Sequence, residues 1–280
     1  MRHKTKLKFD EIGYWSEIKL DIIKRYATEY SKILTAQQKP KLYHVYIDAF
    51  AGAGVHVSKT SQEFVLGSPL NALNVKPPFR EFYYIDLDGE KVDTLKRLVG
   101  ERADVHVHLG DCNQILLKDI FPQVRYEDYR RGLCLLDPYG LHLNWEVVRK
   151  AGEMKSIEVF LNFPIMDINR NALWKNPERV GISGIERMNA FWGDDSWRGI
   201  AYSTERNLFG EPEKEDNATI VNAYRERLRK VAGFSYVPEP IPMLNSKDAE
   251  VYYLFFASHK AAAENIIHYI FDKYRKRGAR

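Results

Sequence analysis

Cysteine is scarce: Cys112 and Cys134 are the only two in 280 residues. Two thiols supply neither a disulfide framework nor a four-ligand zinc site. They are expected as buried thiols in a reducing compartment. No apolar run approaches the ~20 residues that span a bilayer as a helix. The opening stretch MRHKTKLKFDE is basic and lacks the apolar core of a secretory signal. These absences lead us to expect a soluble, cytoplasmic chain with no membrane partner. Internal repeats and low-complexity tracts are missing too, which argues against a solenoid or a disordered linker. Charge of one sign is only slightly in excess, 42 Lys and Arg against 38 Asp and Glu, for a net charge of +4. That permits a nucleic-acid partner without demanding one.

What the chain does have is core material, with 45% hydrophobic and 13% aromatic residues. Its length suits one α/β domain carrying an insertion. The organising stretch is 43–56, YHVYIDAFAGAGVH. Its first half is a run of β-branched and aromatic residues, the pattern of a buried strand. Its second half is a turn of alanine and glycine, which lets a ligand approach the main chain without meeting a Cβ. Asp48 stands at the strand's carboxyl end, where open α/β sheets bind ligands. A plain strand exit has the same local look, so the neighbouring strands must decide.

Ahead of it, Trp15, Ile18, Ile22, Tyr26, Tyr30 and Ile33 recur at three- and four-residue spacing. That predicts an amphipathic helix of about five turns covering the sheet. The alternative is that Trp15 and Lys19 reach a ligand pocket as a lid. After the glycine turn, residues 55–67 look polar and irregular, a substrate-facing flap or a surface insertion. Helix resumes at Ser68-Pro69, with serine expected as the cap and proline at the first turn. A second strand, 81–87, ends in Asp86 and Asp88. Asp88 suits the cap of the next helix, which leaves Asp86 free to accept two ribose hydroxyls. The third strand, Val105–Leu109, puts His106 and His108 on one face. They read as polar residues on a half-exposed strand, since no third metal ligand is evident. Asp111 and Cys112 follow it. The fourth strand, 133–136, runs into Asp137-Pro138-Tyr139-Gly140, and the fifth, Ile157–Phe163, into Pro164.

Five β-then-α units in residues 40–165 argue a parallel sheet with helices on both faces, a doubly wound α/β fold. Asp48, Asp86, Asp111 and Asp137 then lie in register along one sheet edge and suggest a polar pocket. Residues 166–232 read as helices broken by glycine. The end of the helix predicted after Asn217 carries Arg225, Arg227, Arg229 and Lys230, either a phosphate-facing surface or cations stabilising a helix C-terminus. Residues 234–240 and Glu250–Ala257 are expected as an antiparallel pair, followed by a closing helix and a basic tail. A dehydrogenase is disfavoured, because no G-x-G-x-x-G opens directly into a helix.

Together, DAFAGAG, YYIDLD, LGDCN and LLDPYG at successive strand ends resemble a class I S-adenosylmethionine-dependent methyltransferase. With W-x3-K and GSPLNAL, the set looks like the three-Cys-motif partner family, whose members are found beside a radical-type protein with a three-cysteine motif. The resemblance implies a Rossmann-like cofactor-binding core over 41–165. A helical segment (1–40) precedes it, a helical insertion (166–232) follows, and a hairpin and helix (233–280) complete the core. It also implies S-adenosyl-L-methionine as cofactor. Asp48, Gly52 and Gly54 would line the methionine end. Asp86 would hold the ribose, and Asp111, with Cys112 beside it, would meet the adenine. Asp137, Pro138 and Tyr139 would form the catalytic set, similar to the D/N-P-P-Y/F signature of enzymes that methylate amino groups of nucleic-acid bases. The chain departs from that signature, with Tyr139 at the second proline and Gly140 at the aromatic. Phe163 and Pro164 could supply the stacking surface instead. The alternative is a non-catalytic partner subunit that holds cofactor or nucleic acid, and a small-molecule methyltransferase is the third reading.

Overall fold

Seven strands build the central sheet: β1 (Tyr43–Asp48), β2 (Glu81–Asp86), β3 (Val105–Leu109), β4 (Arg130–Leu136), β5 (Ile157–Phe163), β6 (Ile241–Leu244) and β7 (Glu250–Ala257). Their spatial order is β3-β2-β1-β4-β5-β7-β6 in this computed structural model, which describes residues 9–206 and 212–275. β1 to β5 are parallel, and β7 pairs antiparallel with both β5 and β6. This is the expected α/β sheet, parallel in the main with an antiparallel C-terminal hairpin. Parallel strands are buried on both faces, so β1 reads as a continuous apolar run.

Ten α-helices are described: α1 (Tyr14–Ala36), α2 (Ser68–Leu73), α3 (Gly89–Val99), α4 (Cys112–Ile115), α5 (Trp145–Met154), α6 (Ile165–Asn171), α7 (Ile182–Trp192), α8 (Trp197–Ala201), α9 (Asn217–Lys230) and α10 (Ala261–Arg275). Strand alternation splits the core in two. Ile47, Cys134, Leu136 and Phe163 face α5 and α9 on one side. Tyr46, Leu135 and Phe160 face α1 and α10 on the other. Tyr26 anchors α1 there, its ring centroid 5.4 Å from Phe160 and 4.6 Å from Phe256. Full burial of such a side chain is worth about 1.5–3 kcal/mol. Both cysteines are free and buried. Among the described residues, no helix is long and apolar enough to cross a membrane.

Several local expectations are corrected. Residues 55–67 are not irregular. Val55–Ser58 and Phe64–Leu66 pair antiparallel, and Glu11–Ile12 adds a parallel third strand. β-branched Val55, Val57 and Val65 support those strands. Ser58 stabilises the turn by accepting from the backbone N–H of Thr60 and Ser61, both at 3.1 Å, and donates to Glu17 of α1 at 2.7 Å. Ser68 is inside α2 and Gly67 takes the cap position. The edge strand is Ile241–Leu244 rather than 234–240, because Pro238 and Pro240 remove two N–H donors from that stretch. Pro242 is tolerated where it stands because β6 is an edge.

The cations at the end of α9 are engaged within the protein. Arg225 donates to the Val237 carbonyl at 2.7 Å. Arg227 pairs with Asp194 at 2.6 Å and lies 4.8 Å from the Trp145 ring centroid. Arg229 and Lys230 pair with Glu226, both at 3.2 Å. Arg225 and Arg227 are thus committed within the fold, while Arg229 and Lys230 stay exposed at the surface. The basic tail beyond Arg275 and the basic stretch before Phe9 lie outside the described residues.

Candidate active site

β1 and β4 adjoin, yet their chain connections leave in opposite directions, which makes their carboxyl ends the topological switch point of the sheet. Asp48 closes β1 and is fully buried. Its Oδ1 accepts from the Phe50 N–H at 3.3 Å. Ser68 eases its burial, but no hydrogen bond of good geometry reaches Oδ2. Burial, and after it the Ser68 contact and the charges of Asp137 and Asp86, leave this carboxyl pushed up to about 7. The chain then turns through Gly52 and Gly54, with φ of +64° and +82°. Side chains rarely adopt such values, so the alanine–glycine sequence fits the turn.

Asp86 pins that turn. Its Oδ2 accepts from the Gly52 N–H at 2.7 Å, and its Oδ1 accepts from the Asp88 N–H at 2.9 Å. Asp88 caps α3, as expected, accepting from Glu90 and Lys91 at 2.9 and 3.3 Å. Asp111 similarly caps α4 through the Asn113 N–H at 3.0 Å. Asn113 is the tie across the site. Its amide donates to Asp111 and to the His142 carbonyl, both at 2.9 Å, and its oxygen accepts from the Asn144 N–H at 2.7 Å. The loop after β4 is thereby fixed to the end of β3. Cys112 is buried beneath, and burial, with Asp111 nearby, pushes its thiol up to about 12.

A cavity of about 520 Å³ opens at this edge. Asp137, Pro138, Tyr139 and Gly52 line it, together with Lys19 from α1, Asn162 from β5, and Asp167 and Arg187 from the helical excursion. The Lys19 ammonium lies 2.5 Å from an Asp137 carboxylate oxygen. Burial pulls the Lys19 pKa down, but Asp137 outweighs it and holds the ammonium above its ordinary value. Lys19 also sits 5.0 Å from the Tyr252 ring centroid. Asn162 is 7% exposed and its Oδ1 has no hydrogen-bond partner. Tyr139 is 62% exposed, with the Lys91 ammonium 5.3 Å from its ring centroid.

No family model matches the chain. No curated protein matches it either. Solved structures do. A Legionella pneumophila protein described by the family model DUF519 is 11% identical over 91% of each chain, with a TM-score of 0.48. The N-methyltransferase NodS of Bradyrhizobium japonicum, in complex with S-adenosyl-L-homocysteine, is 8% identical over 89% of each chain, with a TM-score of 0.42. The fibrillarin pre-rRNA processing protein of Methanococcus jannaschii is 12% identical over 76% of this chain and 65% of its own, with a TM-score of 0.41.

Of the residues predicted from sequence, the cavity brings together Gly52, Asp137, Pro138, Tyr139 and Pro164. Asp48, Gly54, Asp86, Asp111 and Cys112 are not on its wall. Gly54 is packed, and a Cβ there would come 2.8 Å from Leu95 and 3.4 Å from Leu70. Phe163 offers no stacking surface. It faces the core, 4.7 Å from the Tyr224 centroid, because strand alternation turns Asn162 to the cavity and Phe163 away from it. Of the two α1 residues considered for the pocket, Lys19 lines the cavity and Trp15 does not. Sequence reasoning missed Asn162, Asp167 and Arg187. Only Asn162 left a signal, a lone polar residue near the end of an apolar strand.

Asp48 gives a pH prediction. Its folded pKa is raised, so the folded state holds this proton more tightly than the unfolded chain does. Stability is therefore greatest below about 4 and falls as pH rises toward about 7, with no further loss above that. Asp48→Asn removes the Asp48 share of this dependence and leaves that of Glu158, also pushed up to about 7. At pH 8 it is expected to unfold later in urea than the parent by a few kcal/mol, at most ~4. The same pH 5 to pH 8 change in midpoint for the parent and for Asp48→Asn would sink the assignment.

Proposed function

We propose that the chain is an S-adenosylmethionine-dependent methyltransferase acting on a base amino nitrogen in nucleic acid. The observation that carries this reading is the convergence of Gly52 and Asp137-Pro138-Tyr139 on one cavity at the switch point. The residues fit the cofactor. A Cβ added at Gly52 meets no atom within 4 Å, so the turn is open to a ligand. Asp48 keeps a carboxylate oxygen without a hydrogen bond of good geometry among the described residues, but it is fully buried behind the cavity wall and would act on the methionine end only through the turn it anchors. Each oxygen of Asp86 takes one backbone donor and retains a lone pair for a ribose hydroxyl. Leu87 and Leu109, both exposed beside the strand ends, offer apolar surface to an adenine ring. Asp111 would meet the adenine amino group, with Cys112 beneath it.

The cofactor supplies an electrophilic methyl group. The chain's residues orient the acceptor. Asp137 and the Pro138 carbonyl accept hydrogen bonds from the target amine and leave its lone pair free. Tyr139, exposed at the mouth, stacks on a base taken out of its helix. Arg187 brings a cation to the cavity wall for a neighbouring phosphate. No strong base is required, because proximity and alignment supply most of the rate.

One observation favours a second reading. Lys19 already occupies Asp137, as expected of a non-catalytic subunit that holds cofactor or nucleic acid for a partner. The partner implied by the three-Cys-motif resemblance is a radical-type protein.

Isothermal titration with S-adenosylmethionine separates these outcomes. The intact chain is expected to bind in the micromolar range. Asp86→Ala removes the acceptor for Gly52 and the ribose, and binding is expected to weaken on the order of 100-fold. Binding followed by methylation of RNA or DNA by the chain alone supports the enzyme. Binding without turnover supports the partner subunit. No binding by the intact chain removes the cofactor reading altogether.

A further inference from the structure

A second cavity, of about 410 Å³, lies at the other end of the sheet, where β1, β4 and β5 begin. The same helix, α1, lines both cavities, Lys19 the first and Tyr30 the second. Eleven residues of helix set them about 16 Å apart along its axis, so the two are separate.

The wall is apolar, with Ile33, Leu34, Pro40, Leu42 and Ile266. Three cations stand on it: Arg131, Lys155 and Lys260. Among the described residues, no carboxylate lies within ion-pair distance of any of the three, although Lys260 feels the charge of Glu158. Arg131 and Lys260 instead flank one ring, at 3.6 and 5.3 Å from the Tyr126 centroid. Arg131 also donates to the Tyr126 and Arg130 carbonyls at 3.1 and 2.7 Å, and Lys260 to the Tyr126 hydroxyl at 3.4 Å; these neutral partners orient the cations without cancelling their charge.

The one carboxylate on the wall, Glu158, is satisfied elsewhere. The Tyr26 hydroxyl donates to it, and the Ser258 hydroxyl donates at 3.0 Å. Burial pushes its carboxyl up to about 7, which further reduces its negative charge near neutrality. Tyr30 is 5% exposed, lines the cavity, and its hydroxyl has no hydrogen-bond partner among the described residues. A buried hydroxyl left unpaired is unfavourable and calls for a polar atom from outside the chain. Apolar walls, unpaired cations and an orphan hydroxyl converge here, the arrangement of a small-molecule site.

We propose that this cavity binds a small organic anion with a flat apolar body, its charged group held by Arg131, Lys155 and Lys260 and a polar atom of the body held by the Tyr30 hydroxyl. The apolar wall selects against inorganic phosphate, and the unpaired cations select against a neutral hydrocarbon.

The test uses two dyes of similar shape on the full chain: 1-anilinonaphthalene-8-sulfonate, an anion, and uncharged N-phenyl-1-naphthylamine. The anion is expected to bind saturably with one strong site. Arg131→Ala and Lys260→Ala each weaken it about tenfold, and the neutral dye changes less than about twofold, since it makes no charged contact. Ala262→Trp, at an exposed position on the rim, blocks both dyes. The proposal is overturned if the anion does not saturate, if it survives Ala262→Trp, or if the two charge deletions leave it unchanged or weaken both dyes alike.

Discussion

Asp137→Ala is expected to stop methyl transfer and to destabilise the fold at the same time. The two losses have different causes. Transfer fails because the amine loses its acceptor. Stability falls because Lys19, 8% exposed, keeps its charge and loses its counter-charge. Removing one partner of a buried pair costs about 3–5 kcal/mol. The Asp137 side chain is 25% exposed, so solvent takes up part of that cost. A loss of ~2–4 kcal/mol in urea unfolding is the expectation. The double variant Lys19→Met, Asp137→Leu separates the causes. It removes both charges, should recover most of the stability, and should remain inactive. The pair's contribution also has a pH window. The folded pKa of Lys19 is raised, so on the alkaline side the stabilisation is held from neutral pH to about 10.5 and fades as pH rises through the folded value. If Asp137→Ala unfolds with the parent's midpoint, the ion pair is not a structural contact. If the parent transfers no methyl group under any condition while binding the cofactor, the partner-subunit reading stands and only the stability half of the prediction applies.

Gly152→Ala is expected to cost as much for a purely steric reason. Gly152 lies in α5, where alanine is normally the better residue. Here a Cβ would overlap the Ala232 carbonyl oxygen, come 2.8 Å from its carbon and 3.2 Å from the Phe234 ring. The Gly152 carbonyl is itself held by His259 at 2.8 Å, so α5 cannot slide away freely. Backbone meets backbone, and no rotamer change relieves it. A destabilisation of roughly 3–5 kcal/mol is expected, a fall in Tm on the order of 10 °C. Gly199→Ala in α8 is the control, since nothing lies within 4 Å of its Cβ. It should hold or raise Tm slightly through its helix preference. Equal effects from the two substitutions would contradict the close approach of α5 to Ala232.

Those two glycines show the limit of reading the chain alone. Both sit in segments that look helical, and no local pattern distinguishes them. Short-range physics is different. Strand periodicity, the alanine–glycine turn at Gly52 and the capping carboxylates Asp88 and Asp111 depend on residues a few positions apart. The sequence therefore announced five β–α units and an acid at the end of four strands. Asp88 capping α3 while Asp86 stays behind on the strand could be anticipated from spacing. The three-stranded sheet over residues 55–66 could not. Its parallel strand, Glu11–Ile12, comes from 46 positions earlier, Glu11 standing opposite Val57.

By itself, then, the sequence determined the α/β sheet, its parallel sense and the polar carboxyl edge. Hydrophobic periodicity and turn chemistry are local and additive along the chain. Tertiary structure decided which edge residues share a cavity. Lys19 and Asp137 are 118 positions apart, and Asn162 reaches the same space from β5. It also decided that Arg227 packs on Trp145 while Arg131, Lys155 and Lys260 stay free of carboxylates at the second cavity. A charge's partner is set by where packing places the helix that carries it, and residue spacing along the chain does not hold that information.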